Sequence, residues 1–64
     1  MKFKIGDRVR YCKAIFDEAE NSIATIGVEG VIVAVLEGEA LPYDVAINNV
    51  PFPFAFMEDE LELV

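Results

Sequence analysis

The apolar residues of this chain recur at every second position, and that period limits the possible folds more than any other feature. Between residues 2 and 11, four apolar residues alternate with four basic ones: Phe3, Ile5, Val9 and Tyr11 with Lys2, Lys4, Arg8 and Arg10. A period of two is typical of a strand with one buried and one wet face. The pattern therefore predicts a half-buried first strand, interrupted by a turn at Gly6-Asp7.

Residues 31–36 break the alternation, because they are apolar at both parities. Such a run is typical either of a central strand covered on both sides or of a strand whose outer face is an interface. We favour the second interpretation, because a chain of 64 residues that is 55% hydrophobic has too much surface to hide all of its apolar groups. It predicts that one parity of this second strand is exposed and binds protein: Ile32, Ala34 and Leu36.

Three further strands complete the expected fold. Residues 43–47 alternate again, residues 52–56 place three phenylalanines on one parity, and residues 61–63 form a short last strand. Pro51 and Pro53 predict that the fourth strand lies at a sheet edge, since proline cannot donate to a strand ladder. The chain is therefore expected to be all-β with five strands.

Turn residues separate these strands. Gly27 and Gly30 flank a tight entry into the second strand, residues 37–39 are typical of a hairpin turn, and residues 48–51 of the next. Residues 57–60 predict a single helical turn before the last strand.

The long connection of residues 13–26 has no single interpretation. Its segment 14–20 fits one or two helical turns with Ile15, Phe16 and Ala19 packed inward. It equally fits a mobile loop whose apolar residues await a partner, because seven residues are too few for a helix without tertiary contacts. Both alternatives stay open.

The chain length and the cysteine content limit the number of domains and the cellular compartment. Sixty-four residues allow one domain, residues 1–64, with a core that supplies only a few kcal/mol of net stability. Cys12 is the only cysteine and histidine is absent, which predicts no internal disulfide, no Cys/His zinc site and a reducing compartment. No apolar run has the length of a signal peptide or a membrane span, so we expect a cytoplasmic protein without membrane contact.

Four segments together resemble the SH3-like barrel superfamily over nearly the whole chain: residues 5–11 (IGDRVRY), 26–33 (IGVEGVIV), 43–45 (YDV) and 56–64 (FMEDELELV). The Gly-Asp-x-Val opening is similar to KOW-type domains of ribosomal and transcription proteins. The closing acidic segment resembles the variable subunit of ferredoxin-thioredoxin reductase and the small stromal barrel subunit of photosystem I.

These resemblances imply a small five-stranded SH3-like barrel with a long first loop at residues 13–26 and a helical turn before the last strand. The KOW resemblance implies a nucleic-acid surface, and the reductase resemblance implies a non-catalytic cap on a larger redox enzyme. A short acidic barrel also resembles the accessory proteins of phages and mobile elements. Each match rests on turn and core residues, so it bears on fold more than on function.

The charges are divided along the chain. All five basic residues lie within residues 1–13, which carry about +4, while residues 14–64 carry about −11. A nucleic-acid surface needs several cations together, whereas the loops here carry acids. We therefore expect no binding to DNA or RNA.

Several residues could have a catalytic or metal-binding role, and each also has a structural interpretation. Cys12 could be a thiol activated by neighbouring cations, but it lacks a histidine base and fits a small buried hydrophobe better. The acids of residues 58–62 lack the spacing and glycine of a calcium loop and fit a solvated turn. Asp7 fits a turn cap better than a catalytic carboxylate.

One aromatic pattern and one glycine pattern also have both a chemical and a structural interpretation. Three phenylalanines, Phe52, Phe54 and Phe56, could stack on nucleic-acid bases, but their strand period favours core packing. Gly27 to Gly30 encloses Glu29, an acid where a bound phosphate would have to lie. We predict no catalytic residues, no metal and no cofactor.

The sequence is therefore interpreted as a non-catalytic, acidic protein-binding module that acts as an accessory, regulatory or inhibitory partner of another protein. Its predicted interface is the exposed parity of the second strand with Phe16, and a homodimer or larger homo-oligomer is expected. Two alternatives remain: an acidic mimic of nucleic acid that blocks a DNA- or RNA-binding enzyme, and a small barrel subunit of a redox complex. An enzyme is not expected, because no nucleophile and base are paired in so short a chain.

Overall fold

A computed structural model describes residues 2–64, which form an all-β fold. Its strands are β1 (Arg8–Tyr11), β2 (Ile15–Phe16), β3 (Ser22–Ala24), β4 (Glu29–Val35), β5 (Tyr43–Ile47), β6 (Val50–Phe56) and β7 (Leu61–Leu63). One antiparallel sheet has the order β6-β5-β4-β1-β7, and β2 and β3 form a separate hairpin. The sheet curves around one core like a small barrel but does not close. The prediction of a small all-β barrel-like fold is confirmed.

All five predicted strands lie in the main sheet, although the first begins later than expected. Gly6 has a φ of 94°, and its turn places Phe3 before the strand instead of within it. Asp7 closes this turn, because its Oδ2 accepts a hydrogen bond of 3.0 Å from the Lys4 amide. The prediction that Asp7 caps a turn is confirmed, and Phe3 is nevertheless buried.

The turns lie where the sequence predicts them. Asn48 and Asn49 have φ values of 53° and 66°, which suit the two central positions of a tight hairpin turn and set the pairing of Ile47 with Val50. Gly30 allows β4 to approach β5 closely: a Cβ built there would lie 2.8 Å from the carbonyl oxygen of Ala46. β6, with its two prolines, is an edge strand as predicted.

The core is formed by the inner face of the curved sheet and by Phe3 and Ala24. Its buried residues are Phe3, Val9, Tyr11, Ala24, Ile32, Tyr43, Val45, Phe56 and Leu61. Two rings pack edge to face at one end, Phe3 and Tyr43, with centroids 5.2 Å apart. Tyr11 and Phe56 pack at the other end with centroids 4.8 Å apart.

The predicted parity of β4 is wrong at Ile32. Ile32 is fully buried and pairs with Val45, whereas Val31 and Val33 are exposed. A register shift between Ile32 and Ala34 then inserts an extra residue, so that Val35, at the other parity, also packs against the core. A strict alternation cannot describe a strand that contains such a bulge.

The long first connection contains the β2-β3 hairpin, so a helix over residues 14–20 is wrong. Asp17 fixes the hairpin tip by accepting hydrogen bonds of 2.9 Å from the amides of Ala19 and Asn21. Ile15 packs against the core, while Phe16 is exposed.

The helical turn before the last strand is confirmed as a 3-10 turn, Glu58–Glu60. Glu60 stabilises it, because the Met57 amide donates a hydrogen bond of 2.7 Å to Oε1 of Glu60. Within residues 2–64, this is the only helical element, and none is long and apolar enough to cross a bilayer.

Candidate functional site: an apolar groove and the outer face of the sheet

A small apolar groove lies between three connecting segments and β6. Its volume is about 160 Å³. The hairpin, the β4-β5 connection, β6 and the 3-10 turn contribute its walls, in order Ile15 and Ile23, Leu41, Phe54 and Phe56, and Glu60. Apolar side chains from separate segments therefore meet at one concave surface.

The phenylalanines of β6 divide between the core and this groove. Phe56 is buried, and Phe52 packs against it with ring centroids 5.5 Å apart, so the predicted core packing is confirmed for these two. Phe54 is 49% exposed, so its predicted core position is wrong. The register of β6 against β5 shifts between Asp44 and Ala46, and this irregularity spans Phe54.

Acidic residues occupy the segments that form the groove. We call them the acidic rim: Asp17, Glu18, Glu20, Glu37, Glu39, Glu58, Asp59 and Glu60. One rim acid is in an ion pair, since Lys13 Nζ lies 2.9 Å from Oδ2 of Asp59. This ion pair lowers the pKa of Asp59 and raises that of Lys13, chiefly through their hydrogen bond. In the part of the chain that the structure describes, the other rim acids are in no ion pair.

The convex side of the main sheet, which we call the outer face, has a different composition. The strand registers bring together on it Arg8, Arg10, Glu29, Val31, Val33, Ala34, Asp44, Ala46 and Glu62. A shallow depression of about 490 Å³ crosses it, lined among others by Arg8, Glu29, Val31 and Val33.

Both arginines of the outer face are paired with acids. Arg8 Nη2 lies 3.4 Å from Oε1 of Glu29, and Arg10 Nε lies 2.8 Å from Oε1 of Glu62. The hydrogen bond from Arg10 to Glu62 raises the pKa of Arg10. These pairs are solvent-exposed, so each contributes little to stability. Their larger effect is on the net charge of the face.

The predicted interface residues do not form one surface. Ile32 lies in the core, Ala34 is half-buried on the outer face, and Leu36 is exposed just beyond β4. Phe16 is 60% exposed but belongs to the hairpin. The sequence reasoning missed Leu41, whose only signal was an apolar residue between a turn and Pro42.

Tyr11 and Cys12 are neighbours at the end of β1 and differ in burial. Cys12 is half-buried, and its Sγ donates a hydrogen bond of 3.3 Å to the Asp59 carbonyl. Tyr11 contains a buried hydroxyl without a hydrogen-bond partner among residues 2–64, and burial raises its pKa to about 12. No three His, Cys, Asp or Glu side chains of these described residues are grouped to hold a metal ion.

Comparison with protein-family models and with curated proteins finds no match to this sequence.

Proposed function

We propose that this protein is a non-catalytic protein-binding module whose groove takes an apolar side chain of a partner while the acidic rim attracts cations beside it. The observation that carries the proposal is the coincidence of the two features. Ile15, Leu41 and Phe54 offer partly exposed apolar surface, Glu60 lines the same groove, and the segments that form it carry seven further acids. Apolar contacts in a concave site supply affinity, and the charged rim supplies orientation and association rate.

The proposal includes an SH3-like barrel architecture. Three features support it: the strand order of the main sheet, the hairpin inserted between its first two strands, and the 3-10 turn before β7. The groove lies where those two connections approach β6. In such an arrangement the sheet forms the scaffold and the connections carry recognition.

The chemistry of the groove defines the partner. A leucine or similar side chain would enter between Leu41 and Phe54, and lysines or arginines beside it would be attracted by Glu60 and by acids of the adjoining segments such as Glu39 and Glu58. The chain has a net charge of −7, which favours a basic partner and opposes a nucleic acid. The lone Cys12 fits action in the reducing cytoplasm.

One observation favours the second candidate, an acidic mimic of nucleic acid. Asp59 is the only rim acid of the described chain in an ion pair, and all the others except Asp17 and Glu60 also accept no hydrogen bond from the described residues, so they present free carboxylates to a basic surface. A mimic would depend on these carboxylates alone, whereas a binding module would also need the apolar groove. The two candidates therefore predict different effects of a change at Leu41.

The test is a fluorescence titration at low salt with a synthetic peptide that carries two leucines between pairs of lysines. We expect saturable binding, weakened about fivefold by Leu41→Ala, because the peptide loses roughly 1 kcal/mol of apolar contact. Val33→Ala is the matched control: Val33 is 43% exposed against 44% for Leu41, but it lies on the outer face. It should not change the affinity.

Three outcomes have distinct meanings. Equal binding of a peptide with glutamates in place of the lysines would contradict the role of the acidic rim. Binding of the lysine peptide that Leu41→Ala leaves unchanged, but Glu39→Gln with Glu58→Gln weakens, would favour the mimic. No saturable binding of the lysine peptide would contradict the proposal.

A further inference from the structure

We propose that the outer face of the sheet binds a second copy of this chain, forming a two-fold symmetric dimer that leaves both grooves open. This inference is independent of the proposed function, since it concerns the opposite side of the sheet and a different partner.

The first argument is electrostatic. Two copies that each carry a net charge of −7 repel one another over most of their surfaces. The outer face is the exception, because two arginines there stand against three acids, Glu29, Asp44 and Glu62. The rest of the chain carries nearly all of the excess negative charge. A second copy therefore meets the least repulsion at the outer face.

The second argument is the exposed apolar surface in the middle of that face. Val31 and Val33 stand on β4, which pairs with β1 on one side and β5 on the other, so their strand has no free backbone edge. Their side chains, with the depression beside them, are what a partner would cover. Association here buries side chains instead of extending the sheet.

The third argument is self-complementarity. A two-fold interface brings the same patch of both copies together, so it needs opposite charges placed near one another on that patch. Arg8 and Glu29 satisfy this condition, because they lie on neighbouring strands and both are exposed. A two-fold arrangement centred on β4 lets Arg8 of each copy approach Glu29 of the other.

An edge-to-edge dimer is a less suitable alternative. The free edge of β6 contains Pro51 and Pro53, which have no amide hydrogen to offer a second strand. β7 is only three residues long. The sheet face is therefore a better surface for association than either edge.

The test is sedimentation equilibrium of the full chain over a wide concentration range. We expect the wild type to be a dimer at high micromolar concentration and Val33→Glu to weaken dimerisation at least tenfold. Leu41→Glu is the matched control, because it adds the same charge at a residue of equal exposure in the groove. It should remain dimeric. Circular dichroism checks that both variants are folded.

A charge exchange gives a sharper result that does not depend on Val33. Arg8→Glu alone and Glu29→Arg alone should each be monomeric where the wild type is dimeric. Their equimolar mixture should recover a dimer, because one form presents two acids and the other two arginines. Lys4→Glu and Glu37→Arg make the same charge changes away from the outer face, and each should stay dimeric alone. A wild type that is monomeric throughout, or a mixture that does not associate, would overturn the proposal.

Discussion

The groove and the outer face both expose apolar side chains, but the acids near them differ in how many are paired with a cation. On the outer face Glu29 and Glu62 are paired with arginines, whereas within the acidic rim of the described chain Asp59 alone has a cation. The apolar residues therefore have an almost neutral setting on one surface and a strongly negative one on the other. In a chain with five cations, their position decides which surface can meet an acidic protein and which a basic one.

The two surfaces also differ in construction. The groove is assembled from the hairpin, the β4-β5 connection, β6 and the 3-10 turn, whereas the outer face belongs to one continuous sheet. Changes in the groove therefore affect connections, where substitutions are tolerated. Changes at Val31 or Val33 on the outer face lie one residue away from the core, because Ile32 between them is buried.

The largest expected effect is on stability, and it distinguishes a core residue from its neighbour on the outer face. Ile32→Glu should unfold the protein, because an unpaired charge in the core costs several kcal/mol and a chain of this size has only about 3 to 5 kcal/mol of net stability. Val33→Glu, on the next residue, should change stability by less than about 1 kcal/mol. Circular dichroism with urea unfolding measures both. A folded Ile32→Glu variant would contradict the assignment of the two faces.

The next prediction compares two core tyrosines, Tyr11 and Tyr43, which lie at opposite ends of the core. Tyr11 packs against Phe56, which forms part of the groove, and its unpartnered hydroxyl has a pKa of about 12 in place of the ordinary 10.0. Between these pH values the unfolded chain loses a proton that the folded chain retains. Stability from this group is complete below pH 10 and falls as the pH rises towards 12, by up to about 2 to 3 kcal/mol.

Tyr11→Phe should remove that alkaline loss and cost little stability at neutral pH, since it deletes a buried hydroxyl that makes no hydrogen bond with any of residues 2–64. Tyr43→Phe is the control at the other end of the core. The Tyr43 hydroxyl accepts hydrogen bonds from the amides of Lys2 and Phe3, so its removal should cost about 1 to 2 kcal/mol at neutral pH. Urea unfolding from pH 7 to 11.5 measures both variants. Equal losses for the two at neutral pH would show that Tyr11 has a partner.

Much of the fold could be predicted because its signals are local. The period of two marks the strands, and Gly6 and Asn48 mark turns because each adopts a positive φ. Asp7 could be assigned as a cap because its short carboxylate can accept a hydrogen bond from the backbone of its own turn. The edge position of β6 followed from its prolines, which constrain hydrogen bonding wherever they occur.

The candidate site could not be predicted, because it depends on shifts between strands. The bulge after Ile32 changes which residues of β4 face the core, and no residue of the strand indicates it in the sequence. The hairpin has strands of two and three residues, too short to show a period. Leu41 and Phe54 meet only after β6 has bent and the connections have folded. These are properties of tertiary packing, which overrides local pattern.

The most direct test of the two-surface account is a nitrogen-15 NMR experiment on the labelled chain, recorded during dilution and then during titration with the lysine-leucine peptide. The account predicts that dilution shifts the amide signals of Val31 and Val33, while the peptide shifts those of Leu41 and Phe54. Each set should stay unchanged in the other experiment. Peptide-induced shifts centred on Val31 and Val33, with Leu41 and Phe54 unchanged, would contradict it.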